Sequence, residues 1–218
     1  DPAGNPETGL VLGRMDFDVS REVEVSPGQF EKRVVYTIRF EEGRPGGGGE
    51  FELVEPHLLM FDPLTGDPTG ELSARRGRCR TDQAGSGNIQ LQPASLYADS
   101  FALEGEVSGF ALLEDGSRVE LSTEAIRQDG DLIVTPGAIV LDRGDLRLEA
   151  VGLTWNRALA RLELAEVQRL TFRELAPGLS GTLSAAGGLS WQAATADRPL
   201  AGFGELRGGV VALTEQLA

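Results

Sequence analysis

The sequence predicts an all-β fold, an antiparallel, twisted open β-sandwich with a hydrophobic groove between its two sheets. Three observations predict it. From Phe101 to Phe172 apolar and polar residues alternate with a period of two, the mark of half-buried strands with one dry and one wet face. Turns rich in Gly and Asp interrupt that alternation at short intervals. Glycine is abundant, at 29 of 218 residues, while the core-forming side chains are mostly aliphatic.

Taken in order, DPAGNPETG (residues 1–9) reads as a flexible tether, of the kind that follows a removed signal peptide or anchor helix. Leu10–Phe17 and Glu22–Val25 read as two short strands, with Ser26-Pro27-Gly28 as a turn. Lys32–Glu42 is a strand with Val34, Tyr36, Ile38 and Phe40 on one side and Arg33, Thr37 and Arg39 on the other. Gly46–Gly49 is a loop; no GK[ST] follows, so it lacks the lysine and hydroxyl of a phosphate cradle. Phe51–Glu55 and His57–Asp62 are strands meeting at Pro56, FDPLTGDPTG is a turn, and Gly70–Thr81 returns as one strand. Asp82–Gly87 is a turn, and Asn88–Ala98 a weaker extended piece interrupted by Pro93.

The alternating region follows. Phe101, Leu103 and Val107 share a face, as do Val119, Leu121 and Thr123, then Leu146, Leu148 and Ala150, then Leu162 and Leu164. Helix propensity competes over Arg157–Arg169, but the Arg-Leu-Glu-Leu alternation favours a strand. The dry face changes parity at Gly109 and again at Gly152, so each glycine reads as a bulge or a bend. Beyond Pro177 the chain is poor in charge, and Leu179, Leu183, Leu189, Trp191 and Leu200 lie among Gly, Ala and Ser. Residues 173–218 therefore read as an extension, either further strands of the sandwich or a partner-binding edge.

Composition removes several function classes. A formal net charge of −14 opposes a nucleic-acid partner, since phosphate binding needs a positive field. With Cys79 as the one cysteine and His57 as the one histidine, there is neither an intrachain disulfide nor a thiolate or imidazole metal cluster, and no cofactor is expected. No run of about 18 apolar residues is present to span a bilayer as a helix. Patterns of the HExxH, GxSxG, SxxK and DxDxDG kind are absent, so the reading is non-enzymatic. Cys79, in RRGRCRT, reads as a structural thiol despite its arginines, and His57 as an edge or core residue.

Two features point to binding. Arg76, Arg78 and Arg80 share strand parity, giving a row of guanidinium forks suited to phosphate or carboxylate groups, or to pairing with acidic neighbours on adjacent strands. Phe101, Leu103, Phe110, Val119, Leu121, Ile139, Leu146, Leu148, Trp155, Leu162 and Leu164 are the candidate groove lining, each of them also suited to an ordinary core. Trp155 and Trp191 are expected on dry or Gly-rich ground, away from a wet face.

Three segments resemble the LptC/LptA family of lipopolysaccharide-transport proteins and the wider OstA-type repeat. FELVEPHLLMFDPLTGDPTGELSARRGRC is similar to that family's strand, Pro, strand, Asp-turn and return. FALEGEVSGFALLEDGSRVELSTEAI resembles its hairpin through Leu103, Gly105, Val107, Gly116 and Thr123. LIVTPGAIVLDRGDLRLEAVGLTWNRALARLELAEV resembles its ending through Thr135, Val140, Ala150, Gly152, Leu153, Asn156, Leu162, Leu164 and Val167. The resemblance runs over residues 32–172, within a body of 10–172.

It implies a β-jellyroll in the periplasm, tethered to the inner membrane by a segment preceding this sequence. There it would take lipopolysaccharide or a similar glycolipid from an inner-membrane ABC exporter and pass it to other jellyroll transport proteins by edge-strand pairing. Arg76, Arg78 and Arg80 would then form an anion-binding rim. The alternative is a non-catalytic β-sandwich binding or structural module of the cell envelope.

Overall fold

The computed structural model describes residues 13–46, 50–81, 96–113, 116–130, 132–156, 159, 161–176, 179–192 and 203–215. The tether expected at residues 1–9, the tip of the Gly46–Gly49 loop, the turn expected at Asp82–Gly87 and most of the extended piece after it lie outside them.

The described residues form strands and turns, with no helix among them. In chain order the strands are β1 (Met15–Ser26), β2 (Gln29–Phe40), β3 (Glu42–Pro45), β4 (Glu50–Val54), β5 (His57–Phe61), β6 (Pro68–Ser73), β7 (Arg76–Thr81) and β8 (Leu96–Leu112). They continue with β9 (Arg118–Asp129), β10 (Leu132–Asp142), β11 (Leu146–Asn156), β12 (Arg161–Ala176), β13 (Leu179–Ala185), β14 (Leu189–Gln192), β15 (Phe203–Leu206) and β16 (Gly209–Glu215). All sixteen belong to one antiparallel sheet that does not close on itself. The strands beyond residue 173 extend it: β13 pairs with β12 and β16, and β14 with β12 and β15.

The sheet forks twice, and the forks make the sandwich. At β8, the segment Ser108–Ala111 pairs with β6 whereas Leu96–Glu104 pairs with β7. The lower layer continues from β6 through β5 and β2 to β1, and the upper layer from β7 through β4 to β3. A second fork at β12 sends β13 and β16 one way and β14 and β15 the other. Between the forks, β8 to β12 each contribute one half to each layer. Ile38, Phe40, Leu58 and Leu72 of the lower layer meet Phe51, Leu53, Cys79 and Leu103 of the upper in one core. A second core gathers Ile139, Leu148, Ala150, Leu153, Leu164, Val167 and Ala185.

Changing layers requires a sharp bend, and the bends line up into a seam. On β8 it falls at Gly105 and Glu106, both with positive φ (78° and 53°), where β8 carries one residue more than β9. On β11 it falls at Gly152 (φ 68°), between buried Ala150 and buried Leu153. A left-handed residue turns the chain without burying a polar face, and glycine reaches that conformation without Cβ strain. The parity change read at Gly152 is therefore real.

The change read at Gly109 is not. Val107 through Leu112 pair one-for-one with Thr123 through Arg118, so the bulge sits at Gly105–Glu106 instead. Gly70–Thr81 is likewise two strands, with the break at Ala74-Arg75 crossing the seam. The two short strands read before Ser26 are one, β1. An extra residue on β2, opposite Val19/Ser20, shifts the register so that Val35 packs against the core and Val34 lies exposed.

Candidate functional site

The inner faces of the two layers carry unbroken cross-strand rows. In the lower layer one row runs Ile38, Leu58, Leu72, Gly109, Leu121, Leu141, Leu148, Leu170, Leu183, each paired with the next from β2 to β13. In the upper layer the corresponding row runs Phe51, Cys79, Phe101, Gln128, Ile133, Trp155, Leu162, Trp191, from β4 to β14. Alternation puts every member of a row on one side of its sheet, so each is a strip of surface crossing the strands at right angles, apolar except for Gln128 in the upper row.

Burial changes along the upper row. Phe51 is 3% exposed at one end, while Trp155 and Trp191, on the same face and flanking half-buried Leu162, are each 42% exposed. The layers therefore press together over the first core and leave the inner face accessible towards β11 and β14. This corrects the expectation that both tryptophans avoid solvent: parity places them inward, but they lie close to the strand ends, beyond the packed core.

The other candidate lining residues divide by depth. Leu103, Ile139, Leu148 and Leu164 are buried in the cores. Phe101, Val119, Leu121, Leu146 and Leu162 are half-buried. Leu121 packs against both cores and so joins them. Phe110 is a correction. Without a bulge at Gly109 it falls on the outer face, between Glu71 and Glu120, with the Arg118 guanidinium 3.7 Å above its ring.

The Arg row is also an outer-face feature. Arg76, Arg78 and Arg80 do project together from β7, but into a checkerboard with carboxylates. Arg78 donates to Glu104 at 2.8 Å and lies 3.9 Å from Glu50; Arg127 stands 3.8 Å from the same Glu104. Arg76, Arg78 and Glu104 of this patch, with Arg44, Glu52 and Val54, line a hollow of about 370 Å³ on the upper layer. The row is thus not at the groove's rim, and Arg78 takes the cross-strand pairing that the sequence allowed.

Cys79 is buried beneath this surface, its Sγ 3.9 Å from the Phe51 carbonyl, and burial pushes the thiol up to about 12. Facing arginines do not reach it, because they lie on the opposite side of the strand. His57 is half-buried, with Nε2 3.5 Å from Glu71. Among the described residues no group of His, Cys, Asp and Glu could hold a metal ion, and no helix is long and apolar enough to cross a membrane.

Sequence reading assigned neither Gln128 nor Thr135 to the inner face, where they are buried at 3% and 1% exposure on β9 and β10. The signal was present but shifted. Parity on β9 changes between buried Thr123 and buried Ile126, and only after that change does Gln128 face inward.

No protein-family model matches the chain, and no curated protein matches it.

Proposed function

We infer that this chain is a non-enzymatic, periplasmic lipid-transfer component. It holds the acyl chains of lipopolysaccharide or a related glycolipid between its two layers and passes them to an adjoining jellyroll. The observation that carries this reading is the upper inner row, a strip apolar but for Gln128 that is packed shut at Phe51 and accessible at Trp155 and Trp191. Acyl surface removed from water contributes about 25 cal/mol per Å² without any directional bond, so a strip of this kind retains a chain yet lets it slide. The margins supply the second requirement. Among the described strands β1 and β3 end the layers on one side and β15 and β16 on the other, leaving backbone groups available for a partner's strands. Direction would come from an upstream inner-membrane ABC exporter.

A second reading has its own support. Two exposed tryptophans on one face are the chemistry that stacks against sugar rings, which favours a glycan-binding module of the envelope. Photocrosslinkers placed at Leu121 and Trp155 in cells separate the two. The lipid reading expects acyl-lipid adducts at both positions. Adducts to protein or glycan alone would remove it.

A further inference from the structure

The buried polar side chains of the described residues are Thr123, Gln128 and Thr135, all on the two central strands β9 and β10. Thr123 is satisfied: its hydroxyl donates to the Ala138 carbonyl at 2.7 Å. The other two are not. Gln128 donates through Nε2 to the Gly130 carbonyl at 3.3 Å. A carbonyl only accepts, so the amide turns an N–H towards it. Neither Oε1 of Gln128 nor the Thr135 hydroxyl has a hydrogen-bond partner among the described residues.

Their position is specific. Gln128 stands in the upper inner row between Phe101 and Ile133, and the next residue along is Trp155. Two strand spacings separate Gln128 from Trp155, about 10 Å. Thr135 lies two residues beyond Ile133 on β10, paired with Leu153 of β11, where the β9–β10 register shifts. Phe101 and Ile133 pack against the first core, whereas Ile139 and Leu153 on β10 and β11 belong to the second. The two polar groups thus form a waist between two aliphatic cores, beside the accessible end of the row.

Burying unpaired polar atoms is unfavourable, and an apolar pair would pack there with less cost. A ligand that brings its own polar group removes that penalty. Both groups are neutral and no cation faces them from the row, so a phosphate or carboxylate would be left without a counter-charge. Oε1 needs a donor, and the Thr135 hydroxyl both gives and accepts. A hydroxyl group meets both needs.

We propose that Gln128 and Thr135 form a hydroxyl-reading station in the cleft, which selects acyl chains carrying a hydroxyl partway along over plain saturated ones. This rests on the lipid-holding reading above and adds a chemical preference to it.

The test uses the whole chain and the fluorescence of Trp155 and Trp191, titrated with hexadecanoic acid and with each of its monohydroxylated isomers. One isomer or a short run of neighbouring isomers should bind roughly tenfold tighter than hexadecanoic acid, the factor that a well-made buried hydrogen bond supplies. In Gln128→Leu and Thr135→Val that ratio should fall to about one, with thermal unfolding of each variant confirming that it folds. Equal affinity for all the acids in the unaltered protein would overturn the proposal while leaving the lipid reading intact. So would a preference that survives both substitutions, the result expected if the two groups merely enclose a structural water. Absence of binding by any of the acids would overturn both.

Discussion

Phe40 of the lower layer and Phe51 of the upper meet edge to face, with ring centroids 6.2 Å apart and planes inclined at 62°. Both rings are buried, and they close the sandwich where β2 crosses the seam into β3. Phe40→Ala or Phe51→Ala should each cost about 3–5 kcal/mol, the range for emptying a buried aromatic site. The double variant should reveal a coupling of about 0.5–1.5 kcal/mol beyond simple additivity. Urea denaturation of the four proteins measures it, and purely additive losses would mean that the two layers do not lean on each other here.

Gly109 holds the lower inner row together by having no side chain. A Cβ there would sit 1.9 Å from the Glu71 carbonyl oxygen and 2.8 Å from the Leu72 Cα, both backbone of the neighbouring β6. Gly109→Ala should therefore push β6 from β8 and destabilise by about 1–3 kcal/mol, whereas Gly116→Ala, in open space but at φ 78°, should act only through backbone strain. Amide exchange distinguishes them: the first should speed exchange at Gly70–Ser73, the second only in the turn between β8 and β9.

Cys79 should resist thiol reagents. Its pKa of about 12 leaves almost no thiolate near neutral pH, and the sulfur is covered. Labelling by a maleimide should follow global unfolding, becoming fast only in denaturant. Rapid labelling of the folded protein would mean that β4 and β7 separate readily.

The turn between β10 and β11 carries a pH dependence. The backbone N–H of Gly144 and the Arg147 guanidinium hold Asp142 below its ordinary 3.8, and the Arg143 guanidinium does the same for Asp145. A carboxyl group whose folded pKa is depressed contributes stability that is complete above its unfolded value and lost as pH falls through the folded one. Stability from this turn should be flat from neutral pH down to about 5, then decline below about 4. The effect is modest, because both groups are solvent-exposed. Asp142→Asn should shrink the acid-side slope of a urea midpoint-against-pH curve.

The strand pattern was legible because alternation is a local property: Arg118–Asp129, Leu146–Asn156 and Arg161–Ala176 all announce themselves in the order of their residues. The β12 strand emerged despite its helical propensity, since partners on both sides decide the matter. The seam was only half legible. Gly105 and Gly109 look alike in sequence, and the choice between bulge and close approach depends on β6, which lies more than thirty residues earlier in the chain. Misplacing that bulge by four residues put Phe110 on the wrong face. Alternation fixes the face of Trp155 but not its exposure, because it says which way a side chain points and nothing about where the opposing layer ends.

The two sides of the molecule differ in how they protect their outermost strands, and this asymmetry yields the last prediction. On β1 the exposed positions include Asp16, Asp18, Glu22 and Glu24, and charge on an edge strand discourages pairing with stray chains. On β16 the sequence is GVVALTE, uncharged until its final residue, with Val210 68% exposed. An edge with no further partner among the described strands, and apolar in sequence, invites another strand. Val210→Lys places a charge on that edge while leaving the core untouched, so stability should change by no more than about 0.5 kcal/mol. Strand addition should weaken by at least roughly tenfold, since a buried or crowded ammonium opposes the approach of a partner strand. Pairing of copies can join β16 to β16 as a closed dimer or β16 to β1 as an open chain, and in either case the unaltered protein should show mass rising with concentration in sedimentation. Matching sedimentation of both proteins as monomers across the micromolar range would mean that the β16 edge does not add a second copy of this chain.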